Sequence, residues 1–228
     1  MFGKVIRRRK RQDEEITYWL SFSDLMSSLL IVFVLLFIYV VLDYNQALAT
    51  KEAKIKELSS VRSKIITKLV KELGNDIAIN KNTGAIKLKS EVLFDKDKSE
   101  LKPEGQKFLS EFVPKYLKVL LGDPEIKGSI STVIIEGHTD DDGTYIYNLE
   151  LSQSRALSVV KYISQDPINI KHQKDIEKYF SAIGRSKSDL IEKDGKVLQA
   201  DSRRVEFKFR LKDEETLKSI LNEIDEGK

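Results

Sequence analysis

The sequence predicts an α/β protein: a single N-terminal transmembrane helix, a helical linker, then a globular α/β sandwich. Three observations predict it. Residues 25–42 read LMSSLLIVFVLLFIYVVL, 18 positions without a charge. Residues 51–73 are polar with apolar residues at helical spacing. From residue 77 onward, short β-branched runs alternate with amphipathic stretches. The boundaries that follow are a basic tail at 1–15, the span at 16–42, the linker at 43–75 and the globular domain at 76–228.

The uncharged run has the length of a spanning helix at about 1.5 Å per residue. Trp19 and Tyr18 before it, and Tyr39 and Tyr44 at its far end, suit the two membrane interfaces. Arg7, Arg8, Arg9, Lys10 and Arg11 precede the span, and Asp43 is the first charge beyond it. The positive-inside rule places the N-terminus in the cytoplasm and the remainder outside. The run is longer than the apolar core of a signal peptide. Asp24 lies about 8 Å inside the apolar segment by helical rise. A carboxylate there costs on the order of 2–3 kcal/mol and usually faces a partner or a water-filled path. Alternatively, Ser23 and Asp24 cap a helix that starts at Leu25.

In the linker, Ile55, Leu58, Val61, Ile65, Leu69 and Leu73 share a helix face. The step from Leu58 to Ile65 matches a heptad, so a short homodimeric coiled coil and a helix lying on a surface both fit. Gly74 and Asn75 end it. Strands are expected at 77–79 and 85–88 around the turn Lys81-Asn82-Thr83-Gly84, and at 131–136, 179–183 and 203–210. Helices are expected at 103–121, with a kink at Pro114, at 148–163, and at 214–224. Along 203–210, Val205, Phe207 and Phe209 alternate with Glu206, Lys208 and Arg210, giving one buried and one wet face.

Composition removes several function classes. The chain has 39 Lys plus Arg against 36 Asp plus Glu, too balanced for direct nucleic-acid binding. It has no cysteine and two histidines, His138 and His172, and no phosphate-cradling glycine motif. No enzyme chemistry, resident cofactor or metal site is expected. The acids Asp140, Asp141 and Asp142 are consecutive rather than alternating, which does not suit a calcium loop.

The candidate recognition site is the loop and helix GHTDDDGTYIYNLELSQSRA. Asn148 and Arg155 are two helical turns apart on one stripe, and Asp140 sits at the preceding strand's end. An acid and a guanidinium at one mouth suit a zwitterion, the acid taking an ammonium and the arginine forking onto a carboxylate. Diaminopimelate in a peptidoglycan stem peptide offers that pair of groups. An Asp–Arg salt bridge that only fixes the loop is the alternative.

This stretch resembles the signature of the OmpA-like peptidoglycan-binding domain. Gly137, His138, Thr139, Asp140, Gly143, Tyr147, Asn148, Leu151, Ser152, Arg155 and Ala156 match in register. Phe94, Leu101, Pro103 and Gly105 upstream, and Gly184 with Arg203-Arg204-Val205-Glu206 downstream, extend the match to about residues 77–211. The resemblance implies that Asp140 and Arg155 bind diaminopimelate, supported by Thr139, Asn148 and Arg204. Ser202 departs from the family, which commonly has Asn there. Ser21-Phe22-Ser23-Asp24-Leu25-Met26 followed by a single span is similar to the membrane segment of MotB-type stator subunits. That resemblance implies that Asp24 carries the transported ion, H⁺ or Na⁺, and that a homodimer sits inside a ring of a polytopic MotA/ZorA-like partner. Within that group the chain resembles the ZorB family of Zorya anti-phage systems. Flagellar or gliding stators, and a passive tether from membrane to wall, remain as alternatives.

Overall fold

The computed structural model describes residues 2–74, 77–212 and 214. The terminal helix expected at 214–224 lies outside them apart from Glu214, as does Asn75. The side chains of the basic run 7–11 and of Tyr18 are likewise outside the described ones. The chain divides into two compact units, residues 1–55 and 56–228.

A helix, α1 (Phe2–Leu73), supplies the first unit with residues 2–55. Its apolar stretch reaches a mean hydropathy of 3.0 and buries none of that window, so it is long and apolar enough to cross a membrane. A helix of a water-soluble fold would bury one stripe. Here large apolar side chains from Leu25 to Leu42 are exposed all round. Asp24 lies inside an unbroken helix, so no helix start exists at Leu25 for it to cap.

The second unit begins with the last turns of α1. Val61, Ile65, Leu69 and Leu73 are buried in the core of the globular domain, with Leu58 packed against it. The residues that carried the heptad reading are therefore occupied within one chain. Ile65 has no exposed surface left for a two-fold axis. Helical stability in a folded protein comes mostly from packing an apolar face, and the domain's own apolar trough takes this stripe. Gly74 follows with φ +77, a conformation glycine adopts without strain.

Beyond it come β1 (Ala78–Ile79), β2 (Ile86–Lys89), α2 (Ser90–Leu93), α3 (Pro103–Leu121), α4 (Pro124–Ser129) and β3 (Ile130–His138). Then follow α5 (Tyr145–Gln165), a 3₁₀ turn (Pro167–His172), α6 (Gln173–Tyr179) and β4 (Phe180–Gly184). The small hairpin β5 (Glu192–Lys193) and β6 (Lys196–Val197), then α7 (Gln199–Ser202) and β7 (Arg204–Leu211), complete the unit.

The main sheet has the order β1-β2-β7-β3-β4. Only β3 and β4 pair in parallel, because α5 and α6 carry the chain back between them; the other pairs are antiparallel. Leu109, Phe112, Val113, Tyr116 and Leu117 of α3 and Ala156, Val159 and Ile163 of α5 are buried in a single core cluster that also holds Val133, Ile135, Val205 and Phe207. The Phe207 ring meets Phe112 and Tyr116 edge-on at 5.0 and 5.5 Å. Helix α3 runs unbroken through Pro114. The wet face expected along β7 is wet only at Lys208 and Arg210, since Glu206 is 3% exposed. The reason is position: β7 is the central strand, flanked by β2 and β3.

Candidate functional site

Strand β3 ends at His138, and Thr139 and Asp140 lead off the sheet into the loop before α5. The loop can turn because Gly143 takes φ +84. Thr144 then caps α5, its Oγ1 accepting from the Tyr147 N–H at 3.3 Å. Three further bonds fix the loop. Thr139 N–H donates to the Ser186 carbonyl at 3.0 Å, Asn148 Nδ2 to the Asp142 carbonyl at 2.6 Å, and Lys187 Nζ to the Gly143 carbonyl at 3.0 Å. Helix α5 lies unusually close to the strand: a Cβ on Gly137 would stand 2.1 Å from the Ser152 carbonyl oxygen. That closeness brings the Asn148–Arg155 stripe over the end of β3.

Thr139, Asp140, Asn148 and Arg155 all line one cleft of about 510 Å³, whose other wall is the segment Phe94, Asp95, Lys96 and Asp97. Arg155 is 3% exposed. Its Nε donates to the Lys98 carbonyl at 2.8 Å and its Nη2 to the Asp95 carbonyl at 3.4 Å. The guanidinium also stands 5.3 Å from the centre of the Phe94 ring. Burial lowers its pKa from the usual guanidinium value, partly offset by the charge of Asp97. Asp140 Oδ2 is paired with Arg203 Nη1 at 2.6 Å, whereas Arg155 donates to backbone carbonyls. The cleft thus presents a carboxylate and two guanidiniums, with Asp95, Asp97 and Asp142 around them.

Arg204 is not among the residues lining this cleft. It is 2% exposed and bonds Glu206 through Nε and Asp189 through Nη2, the latter at 2.6 Å. Arg203 stands between α7 and β7 and lines the cleft, whereas Arg204 opens β7 on the face of Glu206. The resemblance implied Arg204 as the supporting residue; the structure puts Arg203 on the cleft in its place. Ser202, in place of the family's Asn, is fully buried and its Oγ accepts from the Ile191 N–H at 2.9 Å.

Glu136, His138 and Glu206 bring three possible metal-ligand atoms within 4.8 Å of one another. Their carboxylates already serve cations: Lys208 Nζ bonds both Glu136 and Glu206, and Arg185 Nε reaches Glu136 at 3.1 Å. With Arg204 also on Glu206 and Lys87 Nζ 3.8 Å from it, a divalent ion would have to enter against four positive groups. Burial pushes the Glu206 carboxyl up, but hydrogen bonds from Lys208 and Arg204 outweigh it and hold it at about 2. Burial, aided by Arg204, lowers His138 to about 4, so the imidazole is neutral at pH 7.

The fold and this cleft define an OmpA-type domain on a membrane helix, and the OmpA family model matches residues 93–200. A Zorya protein ZorB of Escherichia coli is 32% identical over 96% of this chain and 99% of its own length. A second ZorB, from Escherichia coli O139:H28, is 29% identical over 93% of this chain and 90% of that one. The chain belongs to the ZorB family and is a single-pass membrane protein. It is also similar to a MotB-like protein of Desulfovibrio vulgaris, with a TM-score of 0.44 and 21% identity, covering 71% of this chain and 96% of that structure.

Proposed function

We propose that this chain is the wall-anchored subunit of an ion-driven, stator-like motor in Zorya anti-phage defence. The N-terminus is cytoplasmic, α1 crosses the inner membrane, and the globular unit grips peptidoglycan outside. Two copies stand inside a ring of a polytopic ZorA-like partner, and Asp24 carries the ion.

One observation carries the wall-binding part: Asp140, Arg155 and Arg203 converge on a single cleft with Thr139 and Asn148. The side-chain end of diaminopimelate bears an ammonium and a carboxylate. The ammonium suits Asp140 and displaces or shares it with Arg203, while the guanidiniums take the carboxylate. Asn148 and Thr139 support the loop that presents Asp140.

The test is sedimentation of the detergent-solubilised full chain with purified sacculi. Asp140→Ala and Arg155→Ala each lower the pelleted fraction at least tenfold while the thermal melt stays cooperative. Wild-type sedimentation by both variants would remove the cleft as the wall-binding site.

A further inference from the structure

Outside α1, the exposed large apolar side chains among the described residues are Val92, Tyr145, Ile146, Tyr147, Leu157 and Ile183. Three of the six are consecutive, and they form the first turn of α5. Tyr145 is 53%, Ile146 59% and Tyr147 48% exposed. The buried face of α5 begins only at Asn148, so packing does not require these residues. A solvated first turn would favour acidic side chains, which complement the helix dipole, and this one has none.

The turn is also held still. Thr144 caps it, and Ser186 Oγ donates to the Tyr145 carbonyl at 2.9 Å. Tyr147 lines the cleft, whereas Tyr145 and Ile146 lie outside it. Apolar side chains of the same turn therefore stand both on the cleft wall and on the exposed surface outside it.

Resting on the wall-binding reading above, we infer that Tyr145 and Ile146 are a sugar platform, taking the apolar C–H face of an amino-sugar ring while the cleft holds the stem peptide. A pyranose ring offers one largely C–H face, and a tyrosine ring accepts it while its hydroxyl stays in water. Diaminopimelate is the third residue of the stem, and three extended residues span about 10 Å, so a peptide held in the cleft keeps its sugar within reach of the helix start. A second copy of the chain is a poorer occupant. A specific dimer interface buries roughly 800 Å² per partner, far more than two or three side chains offer.

The experiment compares two probes on the detergent-solubilised full chain by calorimetry. One is a diaminopimelate-containing tripeptide, the other the same tripeptide carrying its disaccharide. The wild type binds the disaccharide form about tenfold more tightly. The double variant Tyr145→Ser, Ile146→Ser loses that advantage and binds the bare tripeptide as before, whereas Tyr145→Phe keeps it. Equal wild-type affinity for both probes overturns the inference. So does a double variant that retains the advantage, or one that loses both probes together. Binding of neither probe by the wild type overturns the wall-binding reading itself and the platform with it.

Discussion

Arg203 and Arg204 are chemically identical neighbours with opposite expected behaviour. Arg203 is part-exposed and holds Asp140 across the cleft, whereas Arg204 is enclosed with Glu206. Arg204→Ala removes one of the cations on the buried Glu206 while Lys208 stays, a loss of about 1.5–3 kcal/mol. Arg203→Ala changes stability by less than about 1 kcal/mol but weakens sacculus binding about tenfold. Urea unfolding and sedimentation of both variants separate the roles; equal destabilisation would contradict the assignment. Asp24 makes the second residue-scale prediction. An ion carrier must bind and release its cation, so Asp24→Asn inserts and assembles normally, an amide being cheaper to bury, yet abolishes phage protection. Asp24→Glu keeps part of it. Plaque assays with membrane levels checked by blot decide, and a protective Asn variant would leave a passive tether as the better account. That Asn148 and Arg155 share a stripe was legible from spacing because a helix is periodic, and Asp140 was placed by its position at the end of the preceding strand. Arg203 was not, because the sequence does not show at which of two adjacent arginines the strand begins.

At the scale of elements, the closeness of α5 to β3 depends on one missing side chain. The Cβ of Gly137→Ala would sit against backbone, the Ser152 carbonyl, which no rotamer change relieves. This variant loses several kcal/mol and the alignment of Asn148 and Arg155 with Asp140. Gly143→Ala faces nothing closer than 3.5 Å, so its cost is confined to the φ of +84, about 1–2 kcal/mol. Thermal melts that rank Gly143→Ala as the more damaging would refute the close-approach argument. Helix α3, β3 and the hydrophobic face of β7 were readable because their periods are plain. The burial of Glu206 was not, since alternation gives the two faces of a strand but not what covers the second. An ion-pair ladder of Arg204, Glu206, Lys208 and Glu136 occupies that face of the central strands.

At the scale of the whole molecule, the span, the linker and the domain's opening helix are one unbroken α-helix. Composition shifts sharply after Leu42 and the helix continues, because helix formation responds to hydrogen bonding and propensity rather than polarity. The family resemblance starts near residue 77, but the core starts earlier, at Val61. A chain beginning at Ile77 uncovers the surface that Ile65 and Leu69 close, and is expected to aggregate or melt at least 10 °C below one beginning at Lys56. Comparable melting of the two would place the domain boundary at the family match. The buried positions of the docked segment also recur about once per turn, at residues 61, 65, 69 and 73. A load applied along this helix axis is consequently met by all four contacts in shear, each sharing it, rather than by one contact peeling after another. A subunit that must stay fastened to a rigid mesh while its membrane end works gains mechanical endurance from that arrangement, without a single covalent cross-link.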